Sequence, residues 1–184
     1  FMWLSTNMLT WIPFAVVLLY VIFKNNKIKE ALVIIALLGL VIALADQISS
    51  GICKPFFARF RPTQDPELMY QIDIVNGYRG GTYGFISSHA ANTFGVAVFL
   101  TLIFKSGSLA IILFIWAILN AFSRIYLGVH YPGDILFGTF VGVGAGILIY
   151  MIYKKLQQKL LKQANFISNQ YTSSGYLISD IQLI

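Results

Sequence analysis

The sequence predicts an all-α, polytopic transmembrane helical bundle of about five spans, and three observations carry that expectation. Hydrophobic residues make up 58% of the 184 and charged residues only 11%, with a mean hydropathy of +0.75, far from soluble averages. Uncharged runs cover 1–23, 31–45, 106–123 and 135–153, and the run 80–104 is broken only by His89. Several reach the roughly 17–25 residues that carry a helix across a bilayer. Core helices of a large soluble protein are excluded, because the chain has too little polar surface to cover five of them.

Each run has its own justification. The first begins at Phe1 without an initiator methionine and lacks the basic flank and small-residue cleavage site of a signal peptide. It therefore reads as a span, with a natural N-terminal segment (up to a sixth span) expected before it. The second is short, but beyond Asp46 it continues uncharged to Cys53. A cytoplasmic turn at 24–30 joins the first two, and Lys105-Ser106-Gly107-Ser108 makes a tight hairpin between the third and fourth. The fifth runs on as a basic helix to about Lys162. Residues 1–162 form one transmembrane domain, and the Ser/Asn/Gln-rich stretch 163–184 is expected to be a mobile cytoplasmic tail. Cys53 stands alone, so no intrachain disulfide braces the fold. No internal repeat is visible.

The lysines set the topology. Threading the spans alternately puts Lys24, Lys27, Lys29, Lys105, Lys154, Lys155, Lys159 and Lys162 on one side. Lys54, Arg59, Arg61, Arg79 and Arg124 fall on the other, mixed with Asp65, Glu67, Asp73, Asp134 and both histidines. The positive-inside rule places the first set in the cytoplasm. The net charge of +6 then reflects topology and anionic lipid and does not imply a nucleic-acid partner. The outer side holds the reactive groups, so its cations read as retained for chemistry.

Three motifs meet there. In Lys54-Pro55-Phe56-Phe57-Ala58-Arg59-Phe60-Arg61-Pro62, a helix would put Lys54 and Arg61 on one face, two turns apart. A point charge and a planar fork converging from one face suit a phosphate. Arg59 would point elsewhere and reads as an interfacial, snorkelling cation. In Ser87-Ser88-His89, Ser87 is an N-cap candidate, so free backbone N–H groups and the helix dipole would face an anion. Gly80, Gly81 and Gly84 before it would let the backbone approach a ligand. In Ser123-Arg124-x5-His130-x3-Asp134, a carboxylate within reach of one imidazole nitrogen fixes the tautomer, so the other presents its lone pair. The long connection 54–87 that carries two of these motifs is a functional candidate by its length. Asp46 reads as an interfacial aspartate in preference to a support for the cations.

In this order the motifs resemble the type 2 phosphatidic acid phosphatase family, whose pattern is K-x6-R-P, P-S-G-H and S-R-x5-H-x3-D and is shared by vanadium haloperoxidases. Ile86 replaces the family's proline and Ser88 its glycine. The resemblance implies the haloperoxidase-like helical core and gives His130 the role of nucleophile on phosphorus, with Asp134 orienting it. His89 would protonate the leaving oxygen and then activate water against a phosphohistidine. Lys54, Arg61, Arg124, Ser87 and the Ser88 backbone would hold the phosphoryl oxygens. It implies no metal and no cofactor, which agrees with the lack of an acidic or histidine cluster at ligand spacing. Opposite protonation demands on the two histidines predict a bell-shaped pH–rate profile.

The expected partner is a phosphorylated membrane lipid, and the expected setting a bacterial inner membrane with the site facing the periplasm. The compact chain favours undecaprenyl diphosphate first, then lipid A, with phosphatidylglycerol phosphate and phosphatidic acid behind. The competing class is a non-catalytic lipid-phosphate binder or transporter. Transporters keep ionisable groups near the midplane and carry repeats, whereas these charges cluster at one interface. The enzyme reading is preferred.

Overall fold

The structure is a computed structural model that describes residues 11–160, 174 and 176–181. Helix α1 (Ile12–Asn25) turns through Asn26 and Lys27 into α2 (Ile28–Asp46). There the Lys27 backbone N–H donates to the Glu30 carboxylate, closing the first turn of α2. The same rod continues through a π-helical stretch, Gln47–Cys53, into the short α3 (Lys54–Phe57). Pro55 cannot donate to a carbonyl one turn back, and the backbone before it is already widened into the π register. The rod stops at Ala58, which takes a left-handed conformation with φ 45°.

Helix α4 (Ser88–Phe104) begins on the Ser87 side chain, which accepts from the Ala90 N–H. It ends at Lys105, also left-handed, and Ser106 then caps α5 (Gly107–Tyr126). A bend through Gly128 and Val129 leads to α6 (Pro132–Leu160). Among the described residues, Ile28–Phe57, Gly107–Tyr126 and Pro132–Gln157 are long and apolar enough to cross a bilayer, and Ile12–Asn25 and Ser88–Phe104 are shorter apolar helices. The five runs read from the sequence are therefore five helices of a multi-pass membrane protein. The part of the first run before Trp11 lies outside the described residues.

Burial sorts the helices. Helix α4 is the hub, with Gly95–Leu100, Ile103 and Phe104 all buried. At 17 residues it rises about 26 Å, short for a lone span, but its neighbours shield it. Helix α5 shows Ile111, Ile112, Ile115, Ile118 and Phe122 outward, and α6 shows Phe137, Phe140, Leu148 and Met151. Such apolar faces belong against acyl chains, because lipid leaves no hydrophobic drive to bury them.

The most extensive helix contact joins α4 to α6, and it is made of backbone. A methyl group added at Gly142 would strike the Ala91 carbonyl, and one at Gly146 would lie 2.7 Å from the Gly95 carbonyl oxygen. At Gly138 it would lie 2.5 Å from the Ser87 oxygen. Gly138, Gly142 and Gly146 recur every four residues and so share one helix face.

At the lysine end the chain closes on itself. Tyr176 and Ile181 are buried, and the short α7 (Ile178–Ile181) sets Asp180 2.6 Å from Lys24 Nζ. The Tyr176 ring meets Phe104 edge-on at 4.5 Å, so the end of α1, the end of α4 and this segment share one pole of the bundle. Of the stretch 163–184 expected to be a mobile tail, residues 163–173, 175 and 182–184 lie outside the described residues, as do 161 and 162 before it. Tyr176–Ile181 are docked.

The glycine seam generates a prediction. Gly142→Ala should destabilise the protein by about 1–3 kcal/mol through overpacking. Gly144→Ala, whose added methyl meets nothing within 4 Å, should leave it unchanged or up to about 1 kcal/mol more stable. Thermal unfolding of both variants in the same detergent makes the comparison.

Candidate active site

Both poles of the bundle differ in chemistry, and the one away from the lysine turns gathers the reactive groups. The α4–α6 seam delivers them. Because the two backbones touch there, the Ser87 N–H donates to the Asp134 carbonyl at 3.0 Å, which ties the start of one helix to the start of the other.

His130 is 3% exposed, in the bend between α5 and α6. Its Nδ1 lies 3.3 Å from Asp134 Oδ2, and the Arg61 guanidinium donates to its Nε2 at 3.1 Å. An arginine can only donate, so Nε2 carries the lone pair and Nδ1 the proton. That is the tautomer a nucleophilic imidazole needs. Burial pushes His130 down to about 4, against the raising influence of the Asp134 hydrogen bond, so the ring is neutral at physiological pH.

The cations arrive by a route the spacing does not reveal. Lys54 and Arg61 do not share a helix face, because Ala58 ends the helix between them. Arg61 instead leaves an extended segment in which Phe60 pairs with Tyr83, and its N–H groups also donate to the Tyr83 and Val129 carbonyls. Gly80 and Gly84 serve this side chain: a methyl at either would come within 3.0–3.2 Å of it. Their role is to house Arg61, whereas Gly81 lines the cavity beside it. Pro62 opens a 3₁₀ turn, Pro62–Gln64, and terminates no helix.

Lys54 Nζ donates to Ser88 Oγ at 2.7 Å and to Ser50 Oγ at 3.0 Å. Ser50 in turn donates to the Asp46 carboxylate at 3.2 Å. Asp46 is thus a support for the cationic site, contrary to its reading as a simple interfacial residue. Spaced four residues apart, Asp46, Ser50 and Lys54 follow one face of the rod, with Ser50 between the two charges. Ser88 also acts through its hydroxyl, which a glycine would not offer.

Arg124 is fully buried and held by Ser123, whose Oγ accepts from Nε at 3.0 Å and Nη2 at 2.8 Å. His89 is exposed on the first turn of α4 and faces Arg124, His130, Lys54 and Arg61 electrostatically. All eight residues singled out from the motifs therefore meet at one pole. Arg59 joins them, and its reading as an outward cation is corrected. It pairs with Asp134 Oδ1 while its guanidinium lies over the Phe85 and Tyr131 rings at 5.1 and 4.7 Å. Arg79 proves to be a loop staple: it donates to the Thr63 carbonyl and receives the Thr63 hydroxyl on its own.

A cavity of about 470 Å³ opens beside the cations, lined by Ser50, Lys54, Pro55, Arg61, Gly81, Thr82 and Tyr83. Among the described residues no group of three or more His, Cys, Asp or Glu side chains is placed to hold a metal ion. The site is a positive cavity with one oriented imidazole behind Arg61, suited to an anion with an electrophilic centre.

Its acid side can be measured. A nucleophilic His130 has to be neutral, so the acid limb of kcat/KM is expected near about 4, with a fall of about tenfold per unit below it. The same depressed value means this group's contribution to stability is whole above the ordinary imidazole range and is lost as pH falls toward about 4. Asp134→Asn should lower kcat by on the order of 10³-fold without unfolding the protein, read by phosphate release and by its melting curve.

Comparison with known proteins now adds to the geometry. The family model described as the PAP2 superfamily matches residues 31–158. The chain is 41% identical over 164 residues to a lipid A 4'-phosphatase of Bacteroides thetaiotaomicron, covering 87% of this chain and 72% of that protein. It is 39% identical over 153 residues to a lipid A 4'-phosphatase of Porphyromonas gingivalis, covering 83% and 65%. No solved structure matches it. With its helical bundle and most of its length matched in this way, the chain belongs to the PAP2 superfamily and is a membrane phosphatase.

Proposed function

We propose that the protein removes a phosphate monoester from lipid A through a phosphohistidine intermediate, in a bacterial inner membrane with its site facing the periplasm. The observation that carries the reading is the imidazole of His130, held neutral, buried and in one tautomer between Asp134 and Arg61. As the Arg61 guanidinium turns from Nε2 to the phosphoryl oxygens, the freed Nε2 lone pair attacks phosphorus, and the bond from phosphorus to the lipid oxygen breaks. His89 gives that oxygen its proton and then takes one from water, which attacks the phosphohistidine and frees inorganic phosphate and His130.

Lys54, Arg61 and Arg124 offset charge on the equatorial oxygens, as preorganised donors must when charge builds in the transition state. The Ser87 hydroxyl and the Ser88 N–H complete the cradle at the helix N-terminus. With three cations in place, the chemistry needs no metal. The similarity to two lipid A 4'-phosphatases moves the preference among lipids away from undecaprenyl diphosphate, which has only the compactness of the chain behind it. The lysine distribution supports the orientation.

Phosphate release in detergent from lipid A, undecaprenyl diphosphate, phosphatidylglycerol phosphate and phosphatidic acid should favour lipid A. A clear preference for undecaprenyl diphosphate would replace the substrate assignment. His130→Ala should abolish turnover in a folded protein. EDTA should leave activity intact and vanadate should inhibit. Full activity in His130→Ala would end the phosphohistidine reading, and loss of activity in EDTA the metal-free one.

A further inference from the structure

We propose that Arg59 is a positioning residue for the reaction: it anchors the second oxygen of Asp134 and so sets both the aim and the basicity of His130. The inference rests on His130 being the nucleophile. It starts from how the Asp134 carboxylate is shared. Oδ2 faces His130 Nδ1 at 3.3 Å and accepts the Tyr131 N–H at 2.9 Å, while Oδ1 accepts from Arg59. With both oxygens engaged, the carboxylate cannot swing away from the ring.

Arg59 is itself held in place. Its guanidinium lies over the Phe85 and Tyr131 rings, and the Tyr131 hydroxyl donates to Asp65 at 3.2 Å. The Gly84 N–H donates to the Arg59 carbonyl at 2.8 Å. The side chain therefore links three segments: the exit of α3, the approach to α4 and the start of α6. An ordinary ion pair on a 43% exposed arginine would contribute little. Here the partner carboxylate is fully buried and bonded to the reacting ring, so the arginine acts on chemistry more than on stability.

The charge balance around His130 gives the sign. Arg61 and Lys54 face it from the α3 side, His89 from α4, and Arg124 faces His89 from α5. Tyr131 flanks it and Asp65 stands behind Tyr131. Asp134 is the anion against the ring, and Arg59 draws on its other oxygen. Removing Arg59 leaves the carboxylate undivided toward the imidazole and removes one positive charge. Both changes favour the imidazolium, so the acid limb moves to higher pH.

Arg59→Ala should lower kcat about tenfold with KM within about twofold. It should also raise the acid limb of kcat/KM by roughly half a unit to one unit. Arg59→Lys should recover part of kcat and return the limb toward its original position. Nitrogen NMR of His130 in a His89→Gln background, where it is the sole histidine, should show the same upward titration in Arg59→Ala. Unchanged kcat and an unmoved limb would overturn the proposal. So would a loss of kcat with an unmoved limb and no rescue by lysine, which marks a structural clasp. The NMR readout needs no turnover, so it separates failure of this coupling from failure of the phosphohistidine reading, which His130→Ala tests.

Discussion

Backbone contact between α4 and α6 is the constraint on which the rest of this molecule depends. Lipid supplies no hydrophobic force between spans, so two helices approach this closely only where side chains are absent and dispersion and polar contacts can act. Gly95 on α4 and Gly138, Gly142 and Gly146 on α6 meet that condition. The consequence is chemical. A seam that brings Gly138 against Ser87 also brings Asp134 against the start of α4, and the Ser87–Asp134 backbone bond follows. The His130 bend, the Asp134 carboxylate and the N-terminus of α4 are therefore set by packing between two spans.

What stands at that pole is an electrostatic imbalance. Arg124 is fully buried, Arg61 nearly so, and Lys54 is half-buried; among the described residues, Asp134 and Asp46 are the carboxylates that answer Arg61 and Lys54. Buried cations are costly unless paired and hydrogen-bonded, and here neutral oxygens do much of the pairing: Ser50, Ser88, Ser123, and the Tyr83 and Val129 carbonyls. The cations are gathered in advance, so an entering anion meets positive charge already in place and only exchanges hydrogen-bond partners with it. Holding like charges together is costly, and a bound anion would offset that cost.

Much of this was legible in the sequence. Charge-free runs gave the helices, since only apolar residues can face lipid. The motif residues came together because phosphoryl transfer demands a fixed set of donors around one base. What escaped was whatever depended on local backbone that periodicity cannot show. Lys54 and Arg61 converge, yet through a left-handed Ala58 and an extended strand-like segment. Asp46 reaches the site through Ser50, four residues on and four before Lys54, a polar row on one helix face that only its neighbours' roles make meaningful. Arg59 looked like an outward cation because its partners, Phe85, Tyr131 and Asp134, are distant in the chain. The four-residue spacing of Gly138, Gly142 and Gly146 was available as a signal for the seam, while attention to glycine near Gly80 and Gly84 found room for Arg61 instead.

The shape of the opening bears on why such a site belongs in a membrane. A cavity of about 470 Å³ admits a phosphoryl group and part of a head group, leaving the rest of an amphiphile outside. Around it stand Phe56, Phe57, Phe60 and Tyr83, all exposed, with Phe137 nearby on α6. Aromatic rings at the boundary between hydrocarbon and water are at home there, because one face can meet acyl chains while the other meets head groups. A substrate whose tails lie in the bilayer is thus delivered with its phosphate at the depth of Lys54 and Arg61. Confinement to two dimensions and to one depth removes much of the freedom that binding must otherwise restrict. The cup can then be devoted to the phosphoryl group and the part of the head group beside it.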